Sequence, residues 1–357
     1  MSCFIIAEAG VNHNGDLDLA HRLIDAAAEA GADAVKFQTF RAGDLVTATA
    51  PQAEYQTVNT GAEESQYAML KRLELPFEVH GELMDHCARR GILFLSTAFD
   101  PVALDFLLGL GLPMLKCPSG EITNAPLLLR MAQSGKDVIL STGMSDLADI
   151  RAALAVLAVG YLGLTPGIAS FDAMLERSDS WDVLAQRVTL LHCTTAYPTP
   201  AAEVNLRAMT TLAEAFNLKV GLSDHSEGIL AAVTAVGMGA VLVEKHFTLD
   251  RALPGPDHKA SLEPDELAEM IRAIRQTEAM LGSADKAPSP SEIGNRDVAR
   301  KSLVALVSIG KGETFSTANL GIKRPGNGLS PLHYWDMLGR TARTAYQPDQ
   351  LIAEAEL

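Results

Sequence analysis

"AVLVEKHF" (240–247) sets the reading of the whole chain. A short aliphatic run of strand length closes on Glu244 and His246, two residues apart and therefore on one face of an extended strand. The same construction recurs toward the N-terminus. "VGLSDH" (220–225) ends in Ser223 and His225, "VTLLHC" (188–193) carries His192, and "DVILST" (137–142) ends in Ser141 and Thr142. Earlier still, "LPMLKCPSGE" (112–121) carries Lys116, Ser119 and Glu121, "ADAVKFQ" (32–38) carries Lys36 and Gln38, and "FIIAEAG" (4–10) carries Glu8. These runs, with one ending at Thr97, predict eight strands near 4–9, 33–38, 92–97, 112–117, 137–142, 188–193, 219–223 and 240–246. Helical patterns separate them. The clearest spans 16–30, where Leu17, Ala20, Leu23, Ile24 and Ala27 recur at helical spacing before Gly31. Alternating strands and helices imply a parallel sheet, and polar groups at strand C-termini predict an α/β (β/α)8 TIM barrel with its active site on that rim.

Two connections exceed the usual loop length. Residues 39–77 follow the second strand and are expected to wall the site. Residues 160–180 fall on the opposite face and are expected to be structural. Beyond a barrel over 1–282, "GSADKAPSPSEIGN" (282–295) reads as a linker, taken as 283–297. Residues 298–357 then read as a small module of short strands and helices.

The formal net charge of −15 opposes nucleic-acid binding and means that an anionic substrate must be captured by lysines held locally. No apolar stretch suits a membrane span and no signal peptide is evident, so the protein is expected to be cytoplasmic and not membrane-bound. Cys3, Cys87, Cys117 and Cys193 lie far apart, the pattern of buried small hydrophobes rather than of a zinc knuckle or a disulfide framework.

Lys36 and Gln38 share a strand face while Val35 and Phe37 face the helices, so Lys36 points into the barrel mouth. A buried ammonium is costly unless an anion compensates it; at ~4 Å and an effective dielectric of about 20 one charge pair contributes roughly 4 kcal/mol before desolvation. Lys116 occupies the equivalent place on another strand, and two such lysines suit a phosphate and a carboxylate together. A Schiff-base nucleophile or a salt-bridge partner is the alternative for either. "PSGE" (118–121) and "STGM" (141–144) offer hydroxyls and backbone N–H groups to an anion, or serve as ordinary helix caps. His225 and His246 end consecutive strands, with Glu244 beside them. Such a pair fits a divalent transition ion (Mn²⁺, Co²⁺ or Zn²⁺), or else a hydrogen-bonded pair without metal. Asp257 follows the eighth strand in a Pro- and Gly-rich loop that reaches the same mouth, and His13, with Asn12 or Asn14, either caps the first helix or serves the site.

With these residues assembled, the chain resembles the sialic acid synthase family, which condenses phosphoenolpyruvate. The resemblance is carried by "IAEAGVNHNG", "AVKFQTF", "APQAEYQ", "KCPSGEI", "STGM", "LHCTTAYPTP", "GLSDHS", "EKHFTLD" and "PGPDHKAS", and at the C-terminus by "ARKSLVA" and "KRPGNGLSP", which resemble an SAF, or antifreeze-like, domain. It implies a TIM barrel followed by an SAF domain, a domain-swapped homodimer, and a divalent metal, Mn²⁺ ahead of Co²⁺ or Mg²⁺. The substrates implied are phosphoenolpyruvate and an N-acylated amino sugar. By motif position, Lys36, Lys116, Ser119 and Ser141, with Thr97 and Ser223, are implied to hold phosphoenolpyruvate. Gln38, Thr195, Tyr197 and Asp257 fall near the sugar, His225 and His246 on the metal, and Arg324 on the partner's N-acyl group. Glu8 and Glu121 are the candidates for cation stabilisation and proton transfer. The implied activity is N-acetylneuraminate synthesis; the alternative is a legionaminic or other nonulosonic acid synthase using a diacetamido-trideoxy hexose. A metal-independent Schiff-base aldolase and an ice-binding tail are the rival classes. Thr195 stands where some relatives carry Asn, and "EAG" where many have "EIG".

Overall fold

The computed structural model describes residues 2–53, 56–57, 59 and 64–357; Glu54 and Tyr55 of the "APQAEYQ" string lie outside the described residues. The chain divides into two compact units, Met1–Gly282 and Ser283–Leu357.

In the first unit, β1 (Phe4–Gly10), β2 (Ala34–Thr39), β3 (Leu93–Ala98), β4 (Met114–Cys117), β5 (Asp137–Ser141), β6 (Val188–Cys193), β7 (Lys219–Asp224) and β8 (Leu242–His246) close into a barrel in chain order. All eight pairings are parallel, including the closure of β1 on β8. This is the predicted TIM barrel. Its register decides where chemistry can happen. Glu8 pairs with Lys36 and with His246, Gln38 with Thr97, Thr97 with Lys116, and Ser223 with Glu244. Residues far apart in sequence therefore arrive at one level of the barrel. Below them Ile6, Ala34, Leu95, Ile139, Leu191 and Leu242 fill the interior, an apolar plug that closes the site from beneath.

Local chemistry explains the helices. Asp16 caps Leu17–Ala30 by accepting from the N–H groups of Asp18 and Leu19, and Gly31 ends it in the left-handed region at φ +85°. Neither His13 nor its asparagine neighbours cap this helix. His13 is fully buried and accepts from the Gly15 N–H at 3.0 Å, while Asn12 donates to the Phe247 carbonyl at 2.8 Å and so ties the first loop to the end of β8. Burial pushes the His13 imidazole down to about 3.

The segment 39–77 forms a short helix, Ala42–Leu45, and a longer one, Gln66–Leu73, with Ser65 as its cap. The insertion after the fifth barrel helix forms Ile168–Met174 and Ser178–Arg187; Met174, Leu175 and Leu184 are buried in the main core. Among the described residues no helix is long and apolar enough to cross a membrane.

The stretch read as a linker is helical over Pro290–Ala299. Its Pro and Ser content masked a capping box: Ser289 and Glu292 exchange side-chain and backbone hydrogen bonds, and Pro290 occupies the first turn, where its missing N–H costs nothing. In the second unit Ser302–Ala305 pairs antiparallel with Leu320–Lys323 over a small core that includes Leu303, Phe315, Met337 and Ile352. A buried Glu356 carboxylate accepts from the Tyr346 hydroxyl at 2.7 Å and the Arg343 N–H at 3.0 Å, pinning the last residues to that core.

Alternation along β8 sends Glu244 and His246 into the barrel and Lys245 outward, into the layer between sheet and helices. Lys245 is fully buried there. Its ammonium donates to Asp224 Oδ2 at 2.8 Å and to the Ser226 carbonyl, while Asp224 Oδ1 accepts from the N–H and hydroxyl of Ser226. This network binds the ends of β7 and β8 on either side of His225. Lys245→Met should destabilise the barrel by about 3–5 kcal/mol, because it strands a buried Asp224 carboxylate. Urea denaturation followed by circular dichroism reads the change, and adding Asp224→Asn should recover much of the loss.

Candidate active site

The strand ends enclose a cavity of about 350 Å³. At its floor Lys36 Nζ lies 2.6 Å from Glu8 Oε2 and 3.5 Å from Glu244 Oε2, and donates to Thr97 Oγ1 at 2.9 Å. Lys116 Nζ donates to Ser141 Oγ at 2.7 Å and lies 3.5 Å from Glu244 Oε1, which also accepts from Ser223 Oγ at 2.8 Å. One carboxylate is thus shared by two ammonium groups. Both lysines, Glu8 and Glu244 are buried.

The electrostatics follow from that sharing. Burial opposes the Lys36 ammonium, yet Glu244 and Glu8 hold its pKa above the ordinary lysine value. A lysine so held is poorly suited to be a Schiff-base nucleophile, which needs the free amine. Burial also opposes Glu244, but Lys116 and Lys36 together keep it ionised, at about 2. Glu8 goes the other way: burial, aided by the charge of Glu244, pushes it up to about 7 against the pull of Lys36. The two carboxylates titrate as a pair in which Glu244 keeps its charge and Glu8 is the one that takes a proton.

His225 and His246 face each other, ring centroids 5.3 Å apart, with the Tyr197 ring 4.1 Å from the first and 5.7 Å from the second. His225 Nδ1 donates to the Thr194 carbonyl at 2.8 Å, which leaves Nε2 its lone pair. His246 Nδ1 is buried without a hydrogen-bond partner, 4.0 Å from Asp257 Oδ2. Burial, reinforced by His225 and Lys36, pushes His246 well below the ordinary histidine range, and burial pushes Asp257 up to about 6. Against its burial, Cys193 holds His225 above the ordinary histidine range; the facing pair, with His246 Nδ1 unpartnered, fits a divalent ion that leaves other positions open. They do not make a closed cage: among the described residues no three or more His, Cys, Asp or Glu gather as metal ligands.

The remaining wall carries Gln38, Ser119, Glu121, Thr195 and Tyr197. Asn124 donates to Glu121 Oε2 at 2.7 Å, and the Gly143 N–H donates to Ser119 Oγ at 3.0 Å. Gly143 is glycine for a reason of space: a Cβ there would lie 2.4 Å from Thr195 Oγ1 and 2.8 Å from Ser119 Oγ. Glu8, Lys36, Gln38, Thr97, Lys116, Ser119, Glu121, Ser141, Thr195, Tyr197, Ser223, His225, His246 and Asp257 therefore meet in one cavity, whereas His13 and Thr142 do not line it. Arg324 belongs to the second unit, where it is exposed, and is not among them.

Four placements escaped the sequence. Glu244, read as a neighbour of the imidazoles, is the counter-charge of both lysines. Cys193, read as a buried small hydrophobe, also lines the cavity, its Sγ 3.7 Å from His225 Nδ1. His192 makes its hydrogen bond to the Val204 carbonyl at 2.7 Å and lies outside the cavity. Thr142 is spent on the Leu191 carbonyl at 2.9 Å. Strand alternation signals the first two, since Glu244 and Cys193 share their strands' inward faces with His246 and Leu191; the outward His192 obeys the same rule.

Charged groups crowded on the C-terminal rim of a parallel barrel, with pKa values driven apart by burial and pairing, define an enzyme of the barrel class. A model of the NeuB family matches residues 23–286 and one of the SAF domain matches residues 300–357; the chain belongs to the NeuB family. It is 48% identical to N,N'-diacetyllegionaminic acid synthase of Campylobacter jejuni, over 98% of each chain. It is 34% identical to human N-acetylneuraminate-9-phosphate synthase, over 99% of this chain and 92% of that one. Among solved structures, N-acetylneuraminic acid synthetase of Leptospira borgpetersenii is similar with a TM-score of 0.67 at 33% identity, covering 83% of this chain and 90% of that one.

Glu244→Gln removes the shared counter-charge and should lower barrel stability by about 3 kcal/mol. Inorganic phosphate should raise the thermal midpoint of this variant more than that of the parent, since an anion then supplies what the two lysines lack. Calorimetry with and without phosphate checks it.

Proposed function

We propose that the chain is a nonulosonic acid synthase that joins phosphoenolpyruvate to a diacetamido-trideoxy hexose, forming diacetyllegionaminic acid and phosphate. The observation that carries this is the pair of buried lysines sharing Glu244 in a cavity that also holds two facing imidazoles. A dianionic enol phosphate suits the lysine end, where Ser119, Ser141 and Thr97 add hydroxyls. His225 and His246 would hold a divalent ion, Mn²⁺ ahead of Co²⁺ or Mg²⁺, which when bound supplies Lewis-acid polarisation of the sugar's aldehyde oxygen.

The methylene carbon of phosphoenolpyruvate then attacks the aldehyde carbon; the carbonyl oxygen takes up a proton and positive charge develops at the enol carbon. Glu8 and Glu244 face that charge from the barrel floor, where Glu8 is already engaged by Lys36. Water adds to the enol carbon and gives its proton to Glu121, which Asn124 holds at the cavity wall. The bond from that carbon to the phosphate oxygen breaks as the new hydroxyl passes its proton to the departing phosphate, leaving a 2-keto acid and free phosphate; the proton held by Glu121 is the one that the former carbonyl oxygen takes up. Ser119 positions the anion, with Thr195 close to it across Gly143; Gln38, Thr195, Tyr197 and Asp257 line the acceptor side. Arg324 is assigned by its place in "KRPGNG" to the N-acyl group of an acceptor bound in a second copy, as in a swapped homodimer.

The choice of acceptor departs from the N-acetylneuraminate reading of the sequence. Greater similarity to the diacetyllegionaminic acid synthase than to the human enzyme supports the diacetamido sugar. The segment 42–70 supports an unphosphorylated one, for it contains no Lys, Arg or His to meet a second phosphate. A phosphate-release assay with phosphoenolpyruvate should give a higher kcat/KM for the diacetamido-trideoxy hexose than for N-acetylmannosamine, lose activity in EDTA and regain it with Mn²⁺. Faster turnover of N-acetylmannosamine would reject the acceptor, and no phosphate release from either sugar would reject the reaction.

A further inference from the structure

The cavity has two chemically different sides. One carries the lysines, hydroxyls and carboxylates already described. The other is built by the segment after β2, where the end of the short helix Ala42–Leu45 and the helix Gln66–Leu73 bring carbon surface to the opening, interrupted by Gln56 and Gln66. Met69, Leu70 and Leu73 are buried and pack with Val11, Phe40 and Ala42 into a small core of their own. That core accounts for their apolar character. It does not account for Leu45, Val46 and Phe99, which are only half-buried, pack against the edge of the same core, and line the cavity. Half-exposed aliphatic and aromatic groups lining a cavity otherwise made for anions imply a ligand with an apolar end.

We infer that Leu45, Val46 and Phe99 are specificity-determining residues for the acceptor, receiving the methyl group that ends a deoxy amino sugar and disfavouring sugars that end in a hydroxymethyl group. The inference rests on the reaction proposed above and goes further by saying which side chains read the sugar, and how. The acceptor's aldehyde carbon has to meet phosphoenolpyruvate beside the lysines and imidazoles, so its far end is turned toward the rest of the cavity wall. A methyl group placed against Val46 and Leu45 leaves water at a gain. A hydroxyl placed there gives up its hydrogen bonds to water and finds no replacement among these three side chains. Apolar pockets reject an added hydroxyl by no more than about a hundredfold, so the wall is a filter of moderate strength and not an absolute one.

The test uses the full-length protein and two variants, Val46→Thr, which adds a hydroxyl without changing shape, and Leu45→Gln. Each is half-buried, and an unchanged KM for phosphoenolpyruvate reports that the lysine end is intact. The ratio of kcat/KM for the diacetamido-trideoxy hexose to that for N-acetylmannosamine should fall by roughly tenfold in each variant. A loss that is equal for both sugars, or a ratio that does not move in either variant, overturns the inference while leaving the proposed reaction standing. A parent protein inert toward both sugars overturns the reaction, and this inference with it.

Discussion

Glu244 lies between two ammonium groups that have almost no access to water, 3.5 Å from each, and the character of the site follows from that sharing. Two buried lysines with a single carboxylate between them would leave a net positive charge in a low-dielectric pocket, a costly state. Glu8 supplies the second negative charge, but imperfectly, because its own burial drives it toward neutrality. The result is a buried cluster of two ammonium groups and two carboxylates close to electrical balance. A strongly acidic chain thus keeps two ammonium groups together at the mouth of its barrel.

The barrel makes this possible by register more than by local sequence. Glu8 and Lys36 come from adjacent strands at matched positions, Lys116 is brought alongside Thr97, and Ser223 is brought alongside Glu244. Under this layer lies the apolar plug, and outside it the Lys245–Asp224 pair ties the two histidine-bearing strands together. Gly221 belongs to the same arrangement: a Cβ there would sit 2.2 Å from the Leu242 carbonyl oxygen, so only glycine lets β7 and β8 come this close.

Much of this was legible in the chain itself, because short apolar runs closed by polar groups announce strands and mark which ends carry chemistry. The period of two sufficed to turn Lys36 and His246 inward. It did not say whose charge Glu244 would meet, since the answer depends on β4, more than a hundred residues away, and sequence spacing is silent about which strands share a barrel wall. The helix within the stretch read as a linker was hidden for a different reason. Pro and Ser signal a break in most contexts, but before Glu292 they form a helix start. The apolar side of the cavity was the least legible, because half-buried side chains such as Val46 look like ordinary core residues until the cavity is seen.

In the proposed reaction Lys36 and Lys116, on either side of Glu244, receive the phosphorylated carboxylate. Isothermal titration of phosphoenolpyruvate into the parent and into Lys116→Met, with thermal midpoints recorded alongside, tests it most directly. The account predicts that the variant stays folded and loses affinity by roughly a hundredfold or more, the loss expected for one buried charge-assisted contact. Parent-like affinity in a folded Lys116→Met protein would contradict it.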